Sequence, residues 1–223
     1  MDGILPKSQT TSTFLFELKE VLEILRKTRI ILNPKKCIFG VISEKFLGYL
    51  VSRRGIKANP DKVRAIHEMS SPRCIRDMQR LTGRLAALNW FLSQSVSKAL
   101  PFFKVLKKTD SFSWIEECQQ TFEQLKEYLH HLPTLTSPRL GDKLFLYLFA
   151  ADEAMSAVLI REEGVQMPVY YVSRVLRGPK TRYTRVEKLV LALIHAIRSL
   201  KPYFLAHHIC LRTDQPLKQV LSC

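Results

Sequence analysis

Residues 32–66 read LNPKKCIFGVISEKFLGYLVSRRGIKANPDKVRAI, and this stretch decides the fold. Asn33-Pro34 is a turn signal at the end of an apolar helical run. Beyond it, Ile38, Phe39, Val41 and Ile42, and then Phe46, Leu47, Tyr49, Leu50 and Val51, predict two short β-runs. Arg53-Arg54-Gly55 closes that hairpin region. Asn59 then serves as an N-cap and Pro60 takes the first helical position, where a missing N–H does no harm. As physics alone this is a hairpin between two amphipathic helices, a scaffold without chemistry.

Working outward, Thr10 to Thr13 offers hydroxyls for a helix start, and Leu15, Leu18, Leu22 and Leu25 recur at three and four as one apolar stripe. Downstream, the helix from Asn59 turns Val63, Ile66 and Met69 inward and ends before Ser70-Ser71-Pro72. The next helix, IRDMQRLTGRLAALNWFL over 75–92, places Met78, Leu81, Leu85, Leu88 and Leu92 on a core side. Arg73, Arg76, Arg80 and Arg84 fall on the far side, within about 80° at roughly 100° per residue. Gln79, Gly83 and Ala87 lie between the two faces. Gly83 costs about 1 kcal/mol against Ala inside a helix, and close backbone approach to a ligand is a reason to tolerate it. The bland alternative is a solvated basic face on an ordinary packing helix.

Pro101 to Trp114 reads as a connecting stretch with a basic Lys104, Lys107, Lys108 cluster. Trp114, Cys118, Phe122, Leu125 and Leu129 form another apolar stripe, and Pro133 and Pro138 bracket a linker. Residues 144–151, 157–161 and 168–175 read as three strands, 186–200 as a helix and 209–213 as a fourth strand.

The chain has 223 residues, 46% of them hydrophobic, enough for one large or two small domains with a buried core. Its 35 Lys and Arg outnumber 20 Asp and Glu, a formal charge of +15 that points to a polyanionic partner. Nucleic acid is the first expectation and an anionic membrane surface the competitor. No run of about 18 apolar residues and no signal peptide is present, so an intracellular protein, in cytoplasm or nucleus, with no membrane span is expected. Cys37, Cys74, Cys118, Cys210 and Cys223 are odd in number, dispersed and without a CxxC pair, which argues against a disulfide framework or a zinc site.

Order and spacing of LNPKKC, FLGYLVS, GI and NPDKV resemble the end of the palm and start of the thumb in reverse transcriptases of gypsy-type long-terminal-repeat retrotransposons. The resemblance continues through FSWIEECQQTFEQLK, PVYYVSRVL, RYTRVEKLVLAL, KPYF and RTDQPLKQVL, the last four of which follow that family's RNase H segment. It implies an α+β fold in three parts: 1–55 as the end of the palm with its hairpin, 56–138 as helical thumb and connection, and 139–223 as a C-terminally truncated RNase H-like domain. It implies that Phe46, Leu47, Gly48 and Tyr49 form the primer grip. It also implies that Arg76, Gln79, Arg80, Gly83, Arg84 and Ala87 belong to a helix lying in the groove of a template-primer duplex, RNA/DNA or DNA. Retroviral versions often carry a large aromatic where Ala87 stands.

The same resemblance bears on catalysis. Polymerase and RNase H chemistry both need several carboxylates around two metal ions, Mg2+ in the full-length family enzyme. Asp2 falls at the first Asp of the polymerase turn and Gly3 at the second. In the RNase H segment the first Asp falls on Phe149 and the catalytic Glu on Leu189, leaving Asp214 as a vestige. Rescue by Asp152 or Glu187 is the rival possibility. The expectation is a chain that binds duplex, holds no metal by itself and is inactive alone, whose family copies RNA into DNA within a longer Pol polyprotein. A non-catalytic nucleic-acid binder and a decayed coding fragment are the alternatives.

Overall fold

The computed structural model describes residues 4–6, 8, 10, 12–52, 54–93, 95–107, 112–139, 141–215 and 217. The chain is mixed α and β and divides into two compact units, Met1–Arg53 and Arg54–Cys223.

The first unit holds helix α1 (Phe14–Lys27), a short 3₁₀ turn at Pro34–Lys36, and a hairpin of β1 (Ser43–Phe46) and β2 (Tyr49–Ser52). Asn33 starts the 3₁₀ turn by accepting the Lys35 N–H at 3.1 Å. Phe46 pairs with Tyr49, so Leu47-Gly48 is a two-residue connection. Both have positive φ, +49° and +79°, the condition under which a two-residue turn matches the twist of its strands. Gly48 adopts this freely, whereas Leu47 carries a steric cost of about 1–3 kcal/mol.

One expected strand is absent, and the other expected run, Phe46 to Val51, is split by the turn at Leu47-Gly48 between β1 and β2. Residues 38–42 are irregular, with Gly40 at φ +68° and Ile42 88% exposed, and the first strand lies at 43–46 instead. An apolar run becomes a strand only where it meets both a pairing edge and a packing face, and the left-handed Gly40 breaks the run in its middle. The stripe on α1 is likewise thinly covered: Leu25 is buried but Leu15 is 74% exposed.

The second unit begins with β3 (Gly55–Ala58), clasped to the linker by Ile56 N–H to Leu135 O at 2.8 Å and Leu135 N–H to Ile56 O at 2.9 Å. Helices α2 (Pro60–His67), α3 (Ile75–Ala86), α4 (Ser95–Lys107) and α5 (Glu116–His130) follow. Asn59 caps α2 through the Asp61 N–H at 2.9 Å. Ile66, Met78, Leu81, Phe102 and Phe122 form the helical core.

The expected connection from Pro101 is instead the second half of α4. A proline inside a helix costs about 3 kcal/mol, but burying Phe102 and Val105 returns about 1.5–3 kcal/mol each. Phe102 stacks on Trp114 at 6.0 Å, and Trp114 meets Phe122 edge-on at the same distance.

The C-terminal part is a four-stranded sheet of β4 (Leu144–Ala150), β5 (Ala154–Glu163), β6 (Val165–Val175) and β7 (Ile209–Arg212), ordered β6-β5-β4-β7. The first three are antiparallel, and β7 joins β4 in parallel after a crossover through α6 (Arg185–Ser199) and α7 (Lys201–Ala206). Leu144, Leu146, Ala157 and Leu159 pack against Ala196 and Leu200 of that crossover. Strand β5 starts three residues before its predicted position, because Ala154 and Met155 continue the ladder against Ala150 and Val175.

Candidate nucleic-acid interface

Helix α3 sorts its residues sharply. Met78, Leu81 and Leu85 are buried, while Arg76, Gln79, Arg80 and Gly83 are exposed on the opposite side and Ala87 is half-buried at the C-terminal cap. Its own helix backbone aside, a Cβ built on Gly83 meets nothing within 4 Å among the described residues. No internal packing therefore demands glycine there, although the helix gives up stability for it.

The arginines differ from one another. Arg80 lies 3.6 Å from Asp77 one turn earlier, an exposed pair worth little, so it keeps its charge available to solvent. Arg84 is half-buried, and its guanidinium donates to the Ala65 carbonyl near the end of α2. It is thus a strut between two helices. Asp77 accepts the Arg73 N–H at 3.3 Å and the Cys74 thiol at 3.4 Å, and these bonds, with Arg80 and Arg73 nearby, hold its carboxyl below the ordinary range.

In the other unit, the Phe46–Tyr49 turn leaves Leu47 60% exposed, with Phe46, Gly48 and Tyr49 half-buried. Burial raises the Tyr49 hydroxyl above its usual range.

The acids of the C-terminal part do not converge. Phe149 sits opposite Ser156 on β5, and strand alternation turns it away from the face on which Leu144 and Leu146 meet α6. Leu189 is buried. The Asp214 carboxylate lies 3.5 Å from Arg185, both exposed. Glu187 is committed to the start of α6, accepting the Thr184 N–H at 2.7 Å and its hydroxyl at 2.8 Å, and these bonds hold its carboxyl below the usual range. Asp152 is exposed, and its backbone carbonyl takes the ammonium of the buried Lys188 at 3.0 Å. Among the described residues no three His, Cys, Asp or Glu come together to hold a metal ion. This donor set does not fit a pair of divalent ions; Asp2 lies outside the described residues.

Sequence reasoning passed over two features. Thr184-Arg185-Val186-Glu187 is a capping box, legible as Thr-x-x-Glu before an apolar run. Buried Arg161, held by Asp142 at 2.6 Å and Glu163 at 2.6 Å, ties the turn before β4 to β5; nothing in the sequence announced that pairing.

Comparison with known proteins agrees with this architecture. Residues 114–211 match the family described as an RNase H-like domain found in reverse transcriptase. The chain is 31% identical over 236 residues to the retrovirus-related Pol polyprotein from transposon opus of Drosophila melanogaster, covering all of this chain and 24% of that protein. It is 26% identical over 205 residues to the transposon Tf2-7 polyprotein of Schizosaccharomyces pombe, covering 91% of this chain and 15% of that one. The chain thus spans about a quarter or less of the curated relatives it matches. Among solved structures, the foamy viral protease-reverse transcriptase dRH in complex with double-stranded DNA superposes with a TM-score of 0.80 at 20% identity, over 97% of this chain and 39% of that one. The foamy viral enzyme in complex with RNA/DNA hybrid gives 0.78 at 21% identity, over 92% and 28%.

Proposed function

We propose that this chain, a reverse-transcriptase-type segment with an RNase H-like domain and retrotransposon Pol polyproteins as relatives, grips a template-primer duplex without cutting it. The observation that carries the reading is Gly83: mid-helix, exposed, with open space where a side chain would stand, beside Arg76, Gln79 and Arg80. A helix that gives up about 1 kcal/mol at an outward position gains from it if a rigid partner approaches the backbone there. The arginines then meet phosphates, which gives affinity without sequence preference. The formal charge of +15 favours such a partner. The solved foamy viral neighbours are complexes with double-stranded DNA and with RNA/DNA hybrid.

The Phe46–Tyr49 turn serves as primer grip, its exposed Leu47 held out by a left-handed backbone. The divisions at 55/56 and 138/139 mark palm end, thumb with connection, and RNase H-like domain, acting inside the cell within a longer Pol polyprotein of gypsy type. Mg2+ chemistry belongs to other carboxylates of such a polyprotein, because the acids described here point apart or are engaged in caps and ion pairs.

Fluorescence anisotropy with a labelled RNA/DNA hybrid tests this. The logarithm of affinity is expected to fall linearly with the logarithm of salt concentration, and Arg76→Ala with Arg80→Ala is expected to weaken binding and shallow the slope by about two ions. Affinity indifferent to salt, or unchanged in the double variant, defeats the reading.

A further inference from the structure

The seam between α2 and α5 carries a histidine pair that duplex binding does not use. His67, the last residue of α2, stacks with His130, the last of α5, at 4.0 Å between ring centroids. Its Nε2 is buried and has no hydrogen-bond partner among the described residues, whereas His130 is exposed.

The charges around the pair are mostly positive. Lys126 of α5 donates its ammonium to the Met69 carbonyl at 2.7 Å, and Arg84 of α3 donates to the Ala65 carbonyl. Two fixed cations therefore already occupy carbonyls at the end of α2, where the helix dipole would otherwise welcome a charged imidazole. Arg64 lies on the same helix and lines the groove with both histidines. Glu127 is the opposing acid; it is exposed and 3.6 Å from the ring of His131. The groove, about 420 Å³ and floored by Val63, Leu129 and Leu132, leaves room for His130 to swing aside.

We propose that the His67–His130 contact is an acid-sensitive latch on the α2–α5 seam: closed while His67 is neutral, and opened when protonation forces its buried ring nitrogen toward water. Burial first, then the charges of His130 and Lys126, hold His67 below the ordinary imidazole range. The sign follows by linkage. Well above pH 6.5 neither closed nor open state carries the proton, and the latch has its full strength. As pH falls below about 6.5 the open state takes a proton that the closed state refuses, so closed population is lost.

The test uses the full chain without nucleic acid, so it stands apart from the duplex reading. Histidine ring-proton NMR between pH 8 and 4.5 is expected to give His67 a midpoint below 6.5, and hydrogen exchange to lose protection in α2 over the same range. His130→Ala is expected to lift the His67 midpoint toward 6.5, because water then reaches the ring. His67→Phe, which keeps the ring packing, is expected to retain α2 protection at pH 5. A His67 midpoint at or above 6.5 in the unaltered chain overturns the latch, and so does acid loss of α2 protection that persists in His67→Phe. Should His67→Phe not fold, the midpoint in His130→Ala decides: no change from the unaltered chain overturns it.

Discussion

Two glycines carry opposite loads. At Gly55, φ is +131° and an added Cβ would stand 2.1 Å from the Leu135 carbonyl oxygen, so Gly55→Ala forces apart the clasp between β3 and the linker. A loss of about 2–4 kcal/mol is expected, in line with a strained backbone plus a broken contact, read by urea denaturation. Gly83 stands in open space with helical backbone, so Gly83→Ala is expected to stabilise the fold by up to about 1 kcal/mol. The same substitution is expected to weaken duplex affinity, since the new methyl group faces the partner. A variant both more stable and equally tight in binding would show that nothing approaches that backbone. Arg84 makes the complementary point: it shares a helix face with Arg80 in sequence, yet its guanidinium is spent on the Ala65 carbonyl.

Among the elements, α6 shows how local chemistry sets a boundary. Thr184 and Glu187 satisfy each other's backbone N–H groups, and the apolar run behind them packs on the sheet through Ala192 and Ala196. Thr184→Ala is expected to cost about 1 kcal/mol, the usual worth of an N-cap, seen as a lower thermal midpoint. Because the Glu187 carboxyl is held low, the cap is intact above about pH 4.5 and is lost as pH falls through its folded value. The difference between Thr184→Ala and the unaltered chain is therefore expected to shrink in acid. Helix α4 illustrates the opposite relation, where core burial of Phe102 and Val105 carries the helix through Pro101 against local preference.

For the molecule as a whole, the charge is strongly basic, +15, and among the described residues the acids nearest the expected RNase H positions are held apart, Glu187 in a helix cap and Asp214 beside Arg185. Adding millimolar Mg2+ to the protein alone is expected to leave its thermal midpoint unchanged, because a bound ion would raise it by mass action; a concentration-dependent rise would show that the chain does hold the ion.

Much was legible in the residue order: the Asn59-Pro60 helix start, the buried stripe of α3, and the strand, helix, strand succession after residue 144. These rest on interactions within a few residues or on a repeat along one element, which a linear chain displays directly. Other features needed neighbours far away along the chain. The loss of a strand at 38–42, the continuation of α4, the strut from Arg84 to Ala65, the tie from Arg161 to Asp142 and the seal of His130 over His67 are of this kind. Each depends on which surface a side chain meets after folding, and that encounter is a property of packing, which residue order by itself does not display.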